Sequence, residues 1–128
     1  MIGLLDTHGL IWSLTDVTRL SDRARTLLED PTNRVLVSAV SAWEVAIKVA
    51  QGRLILPVPP TQLLDVVTRQ LRMEALPITF EHAVAAAALP RIHGDPFDRL
   101  LVAQARVLAI PIITADPAIS RYEVETIW

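Results

Sequence analysis

No cysteine occurs among the 128 residues. Disulfides, thiolate nucleophiles and cysteine-ligated metal sites are therefore excluded, and a reducing compartment, the cytoplasm, is the default expectation. Lysine is nearly absent too: Lys48 stands alone, and arginine supplies the rest of the 12 basic residues. Arginine suits bidentate phosphate contacts, although the same bias can follow from genome composition. Against 14 acidic residues the net charge is -2, so no global field draws the chain to nucleic acid. Binding of that kind needs a local basic patch or a bridging metal. Aromatic residues make up 5%, which leaves little material for base stacking. No apolar run reaches the roughly 18 to 20 residues that span a bilayer. The longest candidate, Leu100 to Ala115, is broken by Gln104, Arg106 and Pro111. The opening MIGLLDTHGLIW lacks a basic region and holds Asp6 inside its apolar stretch, so it does not read as a secretory signal. What is abundant is aliphatic character: 52% hydrophobic residues and a mean hydropathy of +0.39. For a chain of one-domain length this predicts an apolar patch that meets a partner.

The most informative stretch is Asp95 to Pro117, DPFDRLLVAQARVLAIPIITADP. Asp95 before Pro96 is an N-cap followed by proline at the first helical position, and the apolar spacing from Phe97 predicts a helix ending near Leu108. Ile112 to Thr114 is a β-branched run closed by Asp116-Pro117, a buried strand ending in a turn. Earlier, Ile2 to Leu5 predicts a strand, with Asp6-Thr7 capping a helix from His8 to about Leu14. A second helix opens at Ser21-Asp22. Arg34 to Val40, with Val35, Leu36 and Val37, predicts the second strand, and Ser41 to Glu44 has the S-x-x-E form of a capping box, opening a helix that runs to Gln51-Gly52. After Pro57, Pro59 and Pro60, the residues Leu63, Leu64, Val67 and Leu71 predict a fourth helix, which with the third could form an arm or lid. Met73 to Ile78 reads as the third strand, Thr79 starts an alanine-rich helix ending before Pro90, and Val124 to Trp128 reads as a short edge strand. Strands alternating with helices predict one α/β domain over residues 1–128, a three-layer sandwich with a mainly parallel sheet of about four to five short strands.

Four acids stand at equivalent places: Asp6 after the first strand, Glu44 in the helix after the second, Asp98 in a helix's first turn, and Asp116 after a later strand. In a parallel sheet these places share one edge, where such folds bind ligands. Singly each has a plain explanation as a cap or turn former. Together, two carboxylates ~5 Å apart repel by roughly 3 kcal/mol at an effective dielectric near 20, so their convergence calls for a cation. All-oxygen donors select a hard ion, Mg²⁺ or Mn²⁺, which recruits phosphate oxygens.

Asp6-Thr7, Ser41 through Glu44, Asp95 to Arg99 with Ala103 and Ala105, and Thr114-Ala115-Asp116 resemble, in order and across nearly the whole chain, the motifs of PIN-domain ribonucleases. Within that superfamily the chain resembles the toxin subunits of VapBC toxin–antitoxin pairs. The resemblance implies a PIN fold and a Mg²⁺- or Mn²⁺-dependent endoribonuclease with Asp6, Glu44, Asp98 and Asp116 as its acidic cluster. It further implies a homodimer and a VapB-like antitoxin whose C-terminal segment covers the active-site groove. A PIN-like scaffold subunit without turnover is the alternative. Thr114 is expected to hydrogen-bond a ligand carboxylate or water, Thr7 and Ser41 to support the site, and Asp95 to act as a cap. Lys48 lies one turn beyond Glu44, where an ion pair and phosphate binding are both open. Arg99 could touch RNA phosphate, hold a carboxylate in place or pair with a partner acid. His93 reads as a solvated loop histidine. Relatives often carry a basic residue where this chain has Gly94. Trp12, Leu14 and Trp43 read as core or dimer surface rather than stacking platforms.

Overall fold

The computed structural model describes residues 1–128. Its strands are β1 (Ile2–Leu5), β2 (Arg34–Ser38), β3 (Glu74–Leu76), β4 (Ile112–Ile113) and β5 (Thr126–Ile127). Every neighbouring pair is parallel, and the order across the sheet is β3-β2-β1-β4-β5. The helices are α1 (Thr7–Thr15), α2 (Asp22–Glu29), α3 (Ala39–Ala50), α4 (Leu63–Asp65), α5 (Phe80–Ala88) and α6 (Pro96–Leu108). The expected α/β sandwich is present, with a sheet that is wholly rather than mainly parallel.

Successive side chains on a strand point to opposite faces, so Leu4 and Leu5 enter different cores. Leu5 packs with Leu10, Ala24, Val37, Met73 and Ile113 on one face. Leu4 packs with Leu101, Val102, Ala105, Ile112 and Ile119 on the other. Cover on both faces explains why β1, β2 and β4 read as nearly unbroken aliphatic runs. On α6 the cap is as expected: Asp95 accepts hydrogen bonds from the Phe97 and Asp98 amides, at 2.9 and 3.3 Å.

Two expectations are corrected. Ser41 and Glu44 form no capping box, because β2 runs directly into α3 and the helix starts at Ala39. Ser38 takes the cap, its hydroxyl accepting from the Val40 amide at 3.0 Å, which leaves Ser41 and Glu44 inside the helix. The fourth helix is also not regular. A 3₁₀ turn at Pro60–Gln62 leads into the single turn of α4, and Val66–Gln70 continues as a π-helix. The β-branched run Val66-Val67-Thr68 is a poor α-helix former. Leu63 and Val67 are nonetheless buried in the first core beside Val45 of α3, so these helices cover the sheet and form no arm or lid.

The strand order fixes where a ligand goes. From β1 the chain steps outward to β2 and β3, then crosses back to place β4 on the other side of β1. The crevice between the carboxyl ends of β1 and β4 is the topological switch point.

Candidate active site

Asp6 and Thr114 follow the two strands that flank this switch point. Asp6 caps α1, and its Oδ1 accepts from the Gly9 amide at 2.7 Å. A methyl group at Gly9 would lie 2.5 Å from Leu5 Cδ1, so glycine there lets α1 start close against the end of β1. The Thr114 hydroxyl donates to Asp6 Oδ2 at 2.6 Å and accepts from the Asp116 amide at 3.0 Å. One side chain thereby ties the two strand ends together. Asp6 is 3% exposed. Burial pushes its carboxyl above the ordinary carboxylate range; the bonds from Thr114 and Gly9 oppose that rise, and the nearby charge of Asp116 adds to it.

Glu44 comes from α3 and is 8% exposed. Its Oε2 pairs with Lys48 Nζ at 3.2 Å, the ion pair that the i,i+4 spacing allows. Its Oε1 is buried with no hydrogen-bond partner. A carboxylate oxygen in that state carries an uncompensated desolvation penalty unless a proton or cation reaches it. The Thr7 hydroxyl donates to Ser41 Oγ at 3.0 Å and joins the start of α1 to α3.

Asp98 occupies the first turn of α6. Its carboxyl is pushed up to about 6, first by burial and then by the charges of Asp95, Asp116 and Glu44; a hydrogen bond from His93 works the other way. The four acids thus share one electrostatic neighbourhood, with Asp116 felt by both Asp6 and Asp98. No three His, Asp or Glu side chains close into a ready-made ligand cage.

His93 is not a solvated loop residue. Its Nδ1 lies 2.7 Å from the Tyr122 hydroxyl and its Nε2 lies 3.2 Å from Asp98 Oδ2. For Arg99, left open by the sequence, both terminal nitrogens of the guanidinium are hydrogen-bonded within the protein. It donates to the carbonyls of Ala86, Leu89 and Pro90 and, at 3.3 Å, to the Tyr122 hydroxyl. It therefore holds a carboxylate only at a distance, through Tyr122 and His93. A hollow of about 550 Å³ lined by Arg91, His93, Gly94, Pro96 and Arg99 opens beside these contacts, supplying basic character near the acids despite Gly94. A larger cavity, near 610 Å³, lies away from the acids between α2 and the Gln70–Met73 segment.

A parallel α/β sheet with carboxylates gathered around its switch point defines an acid-cluster α/β domain. This chain belongs to the PIN-domain family, whose model matches residues 3–125. Within the family it is VapC-like. It is 33% identical over 114 residues to the ribonuclease VapC22 of Mycobacterium tuberculosis, covering 88% of this chain and 85% of that one. It is 35% identical over 75 residues to the ribonuclease VapC16 of the same organism, 59% of this chain and 50% of that one. The crystal structure of VapBC2 from Rickettsia felis, bound to a promoter DNA fragment, shares the fold with a TM-score of 0.71 at 16% identity, over 99% of this chain and 98% of that one.

Proposed function

We propose that this chain is a divalent-metal-dependent endoribonuclease, the toxin of a toxin–antitoxin pair, acting as a homodimer on RNA phosphodiester bonds in the cytoplasm. The observation that carries this reading is the convergence of Asp6, Glu44, Asp98 and Asp116 around the β1/β4 switch point. These residues would hold Mg²⁺ or Mn²⁺. The donor set is all oxygen, which selects a hard cation, and the buried, unpartnered Glu44 Oε1 is an acceptor such an ion satisfies. When bound, the ion supplies an activated water and neutralises charge on the phosphoryl oxygens.

The chain's own residues do the positioning. Gly9 and Thr114 fix the two oxygens of Asp6, His93 fixes Oδ2 of Asp98, and Lys48 holds Oε2 of Glu44. Carboxylates held in this way exclude the alternative of a scaffold only if turnover follows, and the chemistry expected is an in-line displacement. A water oxygen forms its bond to phosphorus while the ester oxygen opposite leaves and takes up a proton. The ribonuclease relatives support RNA as substrate. The fold shared with a VapBC complex supports a VapB-like antitoxin, and the exposed Phe80 and Val84 on α5 supply apolar surface for protein contact.

The test offers one sequence as both RNA and DNA, with Mn²⁺ or Mg²⁺ and then with EDTA. Cleavage confined to the RNA and stopped by EDTA is expected. If protein freed of any bound partner binds Mn²⁺ yet cuts neither strand, the scaffold reading replaces the enzyme.

A further inference from the structure

The sequence reading assigns Trp43 to core or dimer surface; in the single chain it is 57% exposed, which removes the core reading. It is not loose. Its ring meets Phe97 edge to face, with centroids 5.2 Å apart and planes at 74°. Trp43 immediately precedes Glu44 on α3, and Phe97 immediately precedes Asp98 on α6. The aromatic pair therefore joins α3 and α6 near their N-termini, and on each helix the next residue is one of the acids. In a parallel sheet both helix N-termini lie at the carboxyl edge where the acids gather, so the exposed indole stands beside the acidic crevice.

The geometry points to Trp43 as a stacking platform for an unpaired nucleobase next to the scissile phosphate. This inference rests on the ribonuclease reading above. A phosphate drawn to the acids carries a base on either side of it. Phe97 holds that ring in place, so little ordering is needed when a base lands on it. An indole face accepts any base, with single-base stacking on aromatics typically changing affinity by roughly 5- to 150-fold. A duplex, whose bases are already stacked, could not use it.

The test compares Trp43→Phe and Trp43→Leu in steady-state cleavage of a single-stranded oligoribonucleotide, with calorimetry of Mn²⁺ binding and the oligomeric state by sedimentation. Leucine keeps an apolar contact with Phe97 but has no π face. The Leu variant is expected to raise KM roughly 5- to 150-fold with kcat little changed, while Phe recovers most of the loss and Mn²⁺ affinity stays at the wild-type value. Removing the base at the contacted position should raise KM for wild type but not further for the Leu variant. Wild-type KM in the Leu variant, or equal losses for Leu and Phe, overturns the platform, as does a KM change that tracks dimer dissociation. If wild-type protein cuts no RNA, the ribonuclease reading itself fails, a result distinct from any of these.

Discussion

Thr114 is the smallest group with the largest assigned effect at the site, since one hydroxyl positions a carboxylate on one strand end and the amide of Asp116 on the other. Thr114→Val keeps the shape and removes both bonds. Mn²⁺ affinity measured by calorimetry should fall about 10- to 100-fold, the usual effect of losing a bond that orients a metal ligand; unchanged affinity would remove Thr114 from the site. Asp98 carries a pH signature. Its carboxyl is raised to about 6, so between about pH 4 and 6 the folded chain holds a proton that the unfolded chain releases. Stability from this group is therefore fully present below pH 4 and lost as pH rises through 6. Asp98→Asn should leave metal-free protein more stable at pH 8 by on the order of 1 kcal/mol, a shift discounted for partial solvent screening. The difference should vanish below pH 4 in thermal melts with EDTA, and the variant should not cleave RNA. Local signals made Asp6, Asp95, Asp98, Thr114 and Asp116 legible in the sequence, because each sits at a strand end or helix cap. His93, Tyr122 and Arg99 were not legible in their actual roles. His93 meets a tyrosine 29 residues away, and no pattern in the chain announces that pairing.

Among the elements, α6 was readable at both ends, since Asp95-Pro96 starts it and Pro111 follows its close. Its last cap is strained: Ala109 adopts φ 55, a left-handed conformation that suits glycine, with Ile110 donating back to the Ala105 carbonyl at 3.0 Å. Ala109→Gly should stabilise the protein by about 0.5 to 1 kcal/mol, after offset by the greater freedom of an unfolded glycine. Because the cap lies about 16 Å along the helix from Asp98, cleavage rates should not change. A lower melting temperature would show that the cap is unstrained. The start of α3 was not readable. Ser38 and Ser41 are both acceptable caps, and the choice was made by the length of β2 and by the bond from Thr7 to Ser41. In the Pro60–Gln70 segment the apolar spacing identified what is buried but not the helix type, because packing of Leu63, Val66 and Val67 overrides local preference.

For the whole molecule, alternating strands and helices were enough to give a parallel α/β sheet, while the order β3-β2-β1-β4-β5 came only from the structure. That order puts the ends of β1 and β4 side by side, and with them the acids that define the account. Metal binding should therefore stabilise the entire fold, by about 2.7 kcal/mol at a free ion concentration 100 times Kd. The gain should shrink as pH falls below about 6, where a proton competes for Asp98. Melting curves with Mn²⁺ at pH 5 and pH 7.5 measure this; equal gains at both would separate Asp98 from the metal. The most direct test of the central claim is cleavage of total RNA by purified, partner-free protein with Mg²⁺ or Mn²⁺, beside Asp6→Asn, which keeps an oxygen to cap Gly9. Discrete metal-dependent fragments from wild type and none from the variant are the predicted result. Equal cleavage by both proteins, or none by a wild type that binds the ion, would contradict it.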